Sequence, residues 1–257
     1  MATQFDPKIL RSPRWLLAIA VGVFLVFGFV RLGLWQLDRL DERRTLNATV
    51  EARQNEPAVP LSDLVLEYPN DVDAILYRSV SVEGVYRESD EFFSIGRIVS
   101  DVRGTLVLTP LDLPSGDVLI VVRGIVPPET AGPPAVGYET PDGTVRLVGR
   151  VDDGEEPAPI GESDPSDGVL TSINRVDLAF IGEWVEGNVL PINLILEGQT
   201  PSGANGEPMA IPMEELSDGR HLGYAIQWFA FALIVLFGVA GLVYRAGTSD
   251  PEETSQD

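Results

Sequence analysis

The sequence predicts a membrane protein: a two-helix transmembrane hairpin with an inserted β-rich extracytoplasmic domain, barrel- or sandwich-like and with some α-helix. Two long apolar segments lie near the ends of the 257-residue chain, and a helix of about 20 apolar residues is long enough to cross a bilayer. Between them, short segments of alternating apolar and polar residues are typical of strands. The predicted divisions are residues 1–14, 15–37, 38–220, 221–244 and 245–257.

The first apolar segment predicts transmembrane helix 1. It carries no charge before Arg31, whose long side chain reaches the headgroups from the outer edge of the bilayer. Ser12 and Pro13 are a typical helix start. No small-residue cleavage site follows the apolar residues, so we expect an uncleaved anchor rather than a removed signal peptide. Leucines at helical spacing continue this helix to about residue 47 or 49.

The second apolar segment predicts transmembrane helix 2, interrupted only by Gln227. Small residues at Ala18 and Gly22 in helix 1, and at Gly238 and Gly241 in helix 2, are of the kind that lets two membrane helices approach closely. The alternative is that they are ordinary membrane glycines. Basic residues precede helix 1 and follow helix 2, so the positive-inside rule places both termini in the cytoplasm and the domain between them outside.

The region between the helices predicts a β-rich domain punctuated by turns. Residues 77–86 alternate most clearly between apolar and polar side chains. One short helix is predicted at residues 177–183, with Asn174 as a candidate cap. The acidic residues between 152 and 167 predict a solvated loop. The other predicted strands are residues 92–99, 105–111, 118–126, 145–151, 170–173 and 190–197.

The composition excludes several functions. The chain has a formal net charge of -21, no cysteine and one histidine. Without cysteine there is no disulfide, thiolate nucleophile or covalent c-type haem attachment, and the negative charge repels nucleic acid. An enzyme that uses carboxylates as acid and base is an alternative, for which Asp101, Asp152, Asp153 and Glu155 are available, but their spacing pairs none of them. We therefore predict no catalytic residue and a protein that is not an enzyme.

The only histidine, His221, opens the second transmembrane helix. Imidazole is the commonest metal ligand and a usual axial ligand of haem iron. The alternative is a histidine that caps the helix or anchors it at the membrane interface. His221 is therefore the strongest candidate for a metal ligand in this sequence, with the capping or anchoring role left open.

Four segments of the chain carry a family resemblance. They are Leu-Gly-Leu-Trp-Gln-Leu-Asp-Arg-Leu at 32–40, Val-Glu-Gly-Val-Tyr at 82–86, Leu-Thr-Pro-Leu at 108–111 followed by 121–127, and His-Leu-Gly-Tyr-Ala-Ile-Gln-Trp-Phe at 221–229. In order and spacing they resemble the Surfeit-locus (Shy-type) family of cytochrome c oxidase assembly factors. One segment departs from the family pattern, because the usual Asn-Arg-Gly-Trp-Val-Pro reads Val-Arg-Gly-Ile-Val-Pro at 122–127.

The resemblance implies an assembly factor for haem–copper cytochrome c oxidase, which binds haem a non-covalently and aids its insertion into the catalytic subunit. It implies His221 as the ligand of the haem iron. The implied partners are the catalytic subunit, haem a synthase and the lipid bilayer. We expect the bacterial plasma membrane as the location, from the arginine-rich, acidic composition. The alternative function is a membrane scaffold or accessory subunit that stabilises oxidase assembly intermediates without binding haem.

Helical spacing places His221, Ala225 and Trp228 on one face of helix 2. We hypothesise that a porphyrin lies against Ala225 and stacks on Trp228, with its iron near His221. Arg220 or Arg31 would meet the haem propionates, because guanidinium pairs well with carboxylates. Trp228 is accordingly a predicted haem contact, with packing inside the protein as its alternative role.

Overall fold

The computed structural model of the chain describes residues 5–69, 71–99, 101–156, 168–213 and 216–248. It divides into two compact units. The first contains residues 1–48 and 216–257, and the second contains residues 49–215. Most of the predicted solvated loop, from residue 157 to 167, and the end of the predicted acidic tail, from residue 249, lie outside the described residues.

Two long helices, α1 (Pro13–Gln54) and α5 (His221–Thr248), form most of the first unit. Both are long and apolar enough to cross a membrane, and they coincide with the two predicted transmembrane helices. α1 continues beyond its predicted end at residue 47 or 49. A short 3-10 helix, Pro7–Arg11, precedes α1 and is capped by Asp6, whose side chain accepts a hydrogen bond from the N–H of Lys8.

α1 and α5 pack against each other and run antiparallel. In the first half of α1, Gly22 faces Val239 so closely that a Cβ on Gly22 would lie 2.9 Å from Val239 Cγ2. Further along α1, the ring of Phe29 stacks on Trp228 with 5.7 Å between the centroids. The contacts therefore move toward the start of α5 as they move toward the end of α1. The close approach at Gly22 agrees with the expectation from the sequence.

The same expectation was wrong for Gly238 and Gly241. A Cβ on either residue would meet nothing within 4 Å. The buried residues Ala225 and Ala232 mark the face of α5 that packs on α1. Gly241 lies about two and a half helical turns beyond Ala232, which puts it on the opposite side of the helix.

The second unit is built on a mixed eight-stranded sheet in the order β1-β2-β6-β8-β5-β4-β3-β7. An additional pairing of β2 with β4, at Tyr86 with Leu111, joins β2, β6, β8, β5 and β4 into a closed ring. Of the two predicted architectures, barrel and sandwich, the structure shows the barrel. Each predicted strand overlaps an observed strand. The strands are β1 Val59–Pro60, β2 Ser79–Tyr86, β3 Phe92–Val99, β4 Val102–Asp112, β5 Asp117–Val126, β6 Thr144–Asp152, β7 Ser172–Ile173 and β8 Asn188–Thr200.

Three short α-helices accompany the sheet in the described part of the chain, and only the last of them was predicted. They are α2 (Leu61–Glu67), α3 (Val72–Ile75) and α4 (Leu178–Trp184). The predicted cap of α4, Asn174, was wrong. The observed cap is Asp177, whose side chain accepts from the N–H groups of Ala179 and Phe180. A cap must directly precede the first turn to reach these groups, and Asn174 lies too early in the chain.

β5 is buried on both of its faces. Leu119 and Val121 belong to one apolar cluster with α2, α3 and the other barrel strands, whereas Ile120 and Val122 belong to a second cluster with α4. Successive side chains of a strand point to opposite faces, so β5 lies between the two clusters. This double burial explains why residues 118–126 form a nearly continuous apolar segment.

A β-bulge in β5 leaves Arg123 as an extra residue. Leu108 of β4 pairs with Val122, and Val107 pairs with Gly124, so Arg123 has no partner across the ladder. Gly124 has a φ of 143°, and a Cβ there would lie 2.5 Å from a backbone carbonyl oxygen of the segment that follows β8. The bulge therefore requires glycine directly after the arginine.

Arg123 belongs to a buried polar cluster formed with Glu91, Thr109, Ala135 and Tyr138. Its Nη1 donates to Glu91 Oε2 at 2.8 Å, and its Nη2 donates to the carbonyl oxygen of Tyr138 at 2.6 Å. Glu91 Oε2 also accepts from the Thr109 hydroxyl at 2.6 Å, and Oε1 accepts from the N–H of Ala135 at 2.7 Å. The Glu91–Arg123 cluster thus ties the segment after β5 to the sheet.

Candidate functional site

His221 is the first residue of α5 and is half-buried. It precedes Ala225 and Trp228 at the spacing of one helical face, as predicted. Ala225 is only 1 % exposed, and Trp228 stacks on Phe29 of α1. The structure therefore contains the predicted face, but α1 covers its deeper part and leaves His221 at the end of the helix.

The Nδ1 atom of His221 is held by Gln36 of α1, at 2.9 Å from Gln36 Oε1. Because a carboxamide oxygen only accepts hydrogen bonds, this contact requires the proton on Nδ1, and in the neutral ring the lone pair is then on Nε2. No residue in the described part of the chain hydrogen-bonds Nε2. A neutral imidazole with one nitrogen anchored and the other open is the form that binds metal ions.

Gly219, in the turn before α5, lies beside the Nε2 and Cδ2 atoms of His221. Gly219 has a φ of 68°, and a Cβ there would lie 3.4 Å from Nε2 and 3.2 Å from Cδ2. The N–H of Gly219 donates to Ser217 Oγ at 3.1 Å, and Arg44 Nε donates to Asp218 Oδ2 at 3.0 Å. Gly219 thus allows the left-handed backbone of the turn and places no side chain against this edge of the imidazole.

These features fit a haem iron with one axial imidazole. Histidine nitrogen is a common ligand of haem iron, and no described residue hydrogen-bonds Nε2 of His221. Arg220 and Arg31, the predicted propionate partners, are exposed, and neither forms an ion pair with a described acidic residue. The chain has no cysteine, so the group would be held without a thioether bond.

Trp228 packs within the helix pair. Besides stacking on Phe29, it meets the ring of Phe231 edge-on, with 5.9 Å between the centroids. This is the packing role that the sequence offered as the alternative to a haem contact. Contact of Trp228 with a porphyrin stays a prediction.

Three of the carboxylates considered for an enzyme, Asp152, Asp153 and Glu155, are near neighbours at and after the end of β6. Asp101 lies in the turn between β3 and β4 with a φ of 65°, whereas Asp152 ends β6. Burial raises the pKa of Asp152. Burial acts in the same direction on Glu155, but hydrogen bonds, first of all from Arg97, lower the pKa of Glu155 overall. The described residues contain no group of three His or acidic side chains that could hold a metal ion.

Gln36 was not among the predicted site residues. The only signal in the sequence is a carboxamide within a predicted apolar helix, where polar side chains seek partners. Its partner, His221, is 185 positions away in the sequence. Helical spacing within one segment does not reveal such a pair.

The two long apolar helices, the small barrel between them in the sequence and the single histidine at the start of α5 define the class of protein. A model of the SURF1 family matches residues 23–233, from α1 to α5. The chain therefore belongs to the SURF1 family. The resemblance seen in the four short segments is confirmed.

Relatives from distant organisms match most of the chain. A SURF1-like protein of Monosiga brevicollis is 29% identical over 80% of this chain and 79% of its own length. A SURF1-like protein of Rickettsia felis is 25% identical over 84% of this chain and 91% of its own length. Surfeit locus protein 1 of Xenopus tropicalis is 26% identical, over 84% and 71% respectively. The similarity thus covers both units.

Proposed function

We propose that this chain is an assembly factor for haem–copper cytochrome c oxidase, which binds haem a through His221 and aids its insertion into the catalytic subunit. The observation that carries the proposal is the arrangement of His221. Its Nδ1 is anchored by Gln36 at 2.9 Å, and no described residue hydrogen-bonds Nε2. The neighbouring Gly219 places no side chain against that edge of the ring. When bound, haem supplies the redox centre of the oxidase that receives it, and this chain catalyses no step.

A single axial ligand suits a protein that must release its cargo. His221 is the only histidine, and there is no cysteine, so the chain offers neither a bis-histidine cage nor a covalent link. Arg220 directly precedes His221 and is exposed. Its planar guanidinium would pair with a propionate, since arginine binds carboxylates through two parallel hydrogen bonds.

The proposed location is the bacterial plasma membrane, with both termini in the cytoplasm. α1 and α5 are long and apolar enough to cross the bilayer, and relatives occur in Rickettsia, which are bacteria. The barrel domain would then lie on the outer side of the membrane. The oxidase catalytic subunit and haem a synthase are the proposed partners, together with the lipid bilayer.

The test is the absorption spectrum of the full-length protein, purified in detergent from cells that make haem a. We expect a Soret band in the wild-type protein and its loss or shift in His221→Ala. Gln227→Leu is the matched control, because Gln227 is another polar residue of α5 and is exposed. It should keep the Soret band of the wild type.

The second candidate function is a membrane scaffold that contacts oxidase intermediates without binding haem. The exposed apolar side chains of α5, such as Ile234 (65 %) and Phe237 (69 %), favour it because they offer a surface for another membrane helix. The two functions predict different haem a contents for the oxidase in cells that carry His221→Ala. Unchanged haem a content in that oxidase, with no haem on the wild-type protein, would leave the scaffold and overturn the haem proposal.

A further inference from the structure

We propose that Gln36 is a positioning residue, which fixes His221 in the Nδ1–H tautomer and so keeps Nε2 available as a ligand. The tautomer of His221 is a property of the protein without any bound group. That Nε2 then meets iron rests on the proposed function. Gln36 lies on α1 and His221 on α5, so the pair also fixes the ring relative to the neighbouring helix.

The helix pair is packed tightly beside the Gln36–His221 hydrogen bond. One turn before Gln36, a Cβ on Gly33 would lie 2.7 Å from the ring of Phe229. The missing side chain of Gly33 therefore lets the two helices approach at this level. The close approach brings the Gln36 side chain, itself half-buried, within 2.9 Å of Nδ1.

The chemistry of imidazole explains why an acceptor is needed at Nδ1. Which ring nitrogen is protonated depends on the hydrogen bond that the other atom makes. An acceptor at Nδ1 leaves the lone pair on Nε2, orients the ring and raises its basicity toward a metal. Gln36 is a neutral acceptor, whereas a carboxylate there would draw the Nδ1 proton more strongly. A neutral acceptor gives a ligand that binds and still releases.

The tautomer can be measured directly because the chain has one histidine. Protein labelled with 15N-histidine gives one pair of ring-nitrogen resonances in detergent micelles, without any haem present. At a pH where the ring is neutral, we expect Nδ1 to be the protonated nitrogen in the wild type. Gln36→Leu should move the population toward the Nε2–H form, and Gln36→Glu should retain Nδ1–H.

Gln227→Leu is the matched control for this experiment. It makes the same change, glutamine to leucine, at an exposed position of α5. The tautomer of His221 should therefore be that of the wild type. Protonation at Nε2 in the wild-type protein would overturn the proposal. So would a Gln36→Leu protein whose ring nitrogens match those of the wild type.

Titration with iron protoporphyrin IX tests whether Nε2 meets iron. Changing the partner of a metal-ligating histidine typically weakens metal binding by about 10–100-fold, and we expect such a loss for Gln36→Leu and recovery in Gln36→Glu. A tautomer change in Gln36→Leu with no porphyrin binding by any variant would support the positioning role and overturn haem binding. Equal affinity of Gln36→Leu and wild type, with porphyrin bound, would overturn the link between tautomer and ligand.

Discussion

The two units contain polar clusters of opposite character. In the second unit, Glu91 and Arg123 are at most 3 % exposed, and both carboxylate oxygens of Glu91 accept hydrogen bonds. In the first unit, His221 is half-buried and, among the described residues, makes one hydrogen bond, to Gln36. Among the described residues, nearly every polar atom of the Glu91–Arg123 cluster has a hydrogen-bond partner, whereas Nε2 of His221 has none.

This difference separates a structural role from the binding role that we propose for His221. A buried charge is stable only when hydrogen bonds replace the water it has lost. In the Glu91–Arg123 cluster, Arg123, the Thr109 hydroxyl and the Ala135 N–H donate to Glu91, and the Tyr138 carbonyl oxygen accepts from Arg123. Within the described residues only Arg123 Nε lacks a partner in this cluster. A group that must take up and release a ligand needs the reverse: a fixed orientation and one unused lone pair. Gln36 and His221 meet that need.

Breaking the Glu91–Arg123 cluster should have the largest effect on stability. Arg123→Met removes the cation but leaves the Glu91 carboxylate buried, and loss of one partner of a buried ion pair costs about 3–5 kcal/mol. We expect the free energy of unfolding of the full chain to fall by this amount. Denaturant unfolding in detergent, followed by circular dichroism, measures it.

Arg146→Met is the control for Arg123→Met. Arg146 forms an ion pair with Glu83 at 2.6 Å, but its side chain is 69 % exposed, and exposed pairs contribute up to about 1 kcal/mol. If Arg123→Met destabilises the chain no more than Arg146→Met does, the Glu91–Arg123 cluster is not the structural centre we describe. Haem binding should be unchanged in Arg146→Met.

A side chain at position 219 should affect binding more than stability. In Gly219→Ala a methyl group would lie 3.4 Å from Nε2 of His221, so the ring or the turn must shift by a few tenths of an ångström. Disturbing the surroundings of a metal ligand costs at least about tenfold in affinity, and we expect this loss in a porphyrin titration. The left-handed backbone adds about 1–2 kcal/mol of destabilisation.

Gly96→Ala separates these two effects. Gly96 has a φ of 69°, nearly that of Gly219, and a Cβ there would meet nothing within 4 Å. The substitution should therefore destabilise the chain as Gly219→Ala does and leave porphyrin affinity unchanged. Equal affinities of the two variants would mean that the space beside Nε2 has no part in binding.

The two long helices and most strands were predictable from the sequence because each depends on local patterning, whereas α2, α3 and β1 were not predicted. Apolar length gave α1 and α5, and alternation gave the barrel strands, including residues 77–86, which form most of β2. The choice between barrel and sandwich was not predictable, since it depends on the pairing of Tyr86 with Leu111. No pattern within either strand encodes which partner closes the ring.

The candidate site was likewise predictable only in the part that depends on a single helix. A lone histidine at a helix start drew attention to His221, and helical spacing placed Trp228 on its face. Spacing did not show that Phe29 of α1 covers that ring, nor that Gln36 meets Nδ1. Contacts between two helices depend on how each is rotated about its axis, and the misassigned face of Gly241 has the same cause.

Asp152 is intermediate between Glu91 and His221 because its carboxylate is partly buried and has few hydrogen bonds. Its substitution should have the smallest effect on stability. Its carboxylate is half-buried and accepts from the N–H of Gly154 at 3.2 Å. Burial, with a smaller contribution from the charge of Asp153, raises its pKa above the ordinary aspartate value. The folded chain therefore holds this proton more tightly than the unfolded chain does.

The sign of the pH dependence follows from that shift. Asp152 contributes stability that is fully present below its unfolded pKa and is lost as the pH rises through its folded pKa. Asp152→Asn removes this loss, so the variant should gain stability relative to the wild type between acidic and neutral pH. Unfolding midpoints across this range measure the gain, with Asp142→Asn, an exposed turn residue, as the control for charge. Parallel stability curves for Asp152→Asn and wild type would show that burial does not raise the pKa of Asp152.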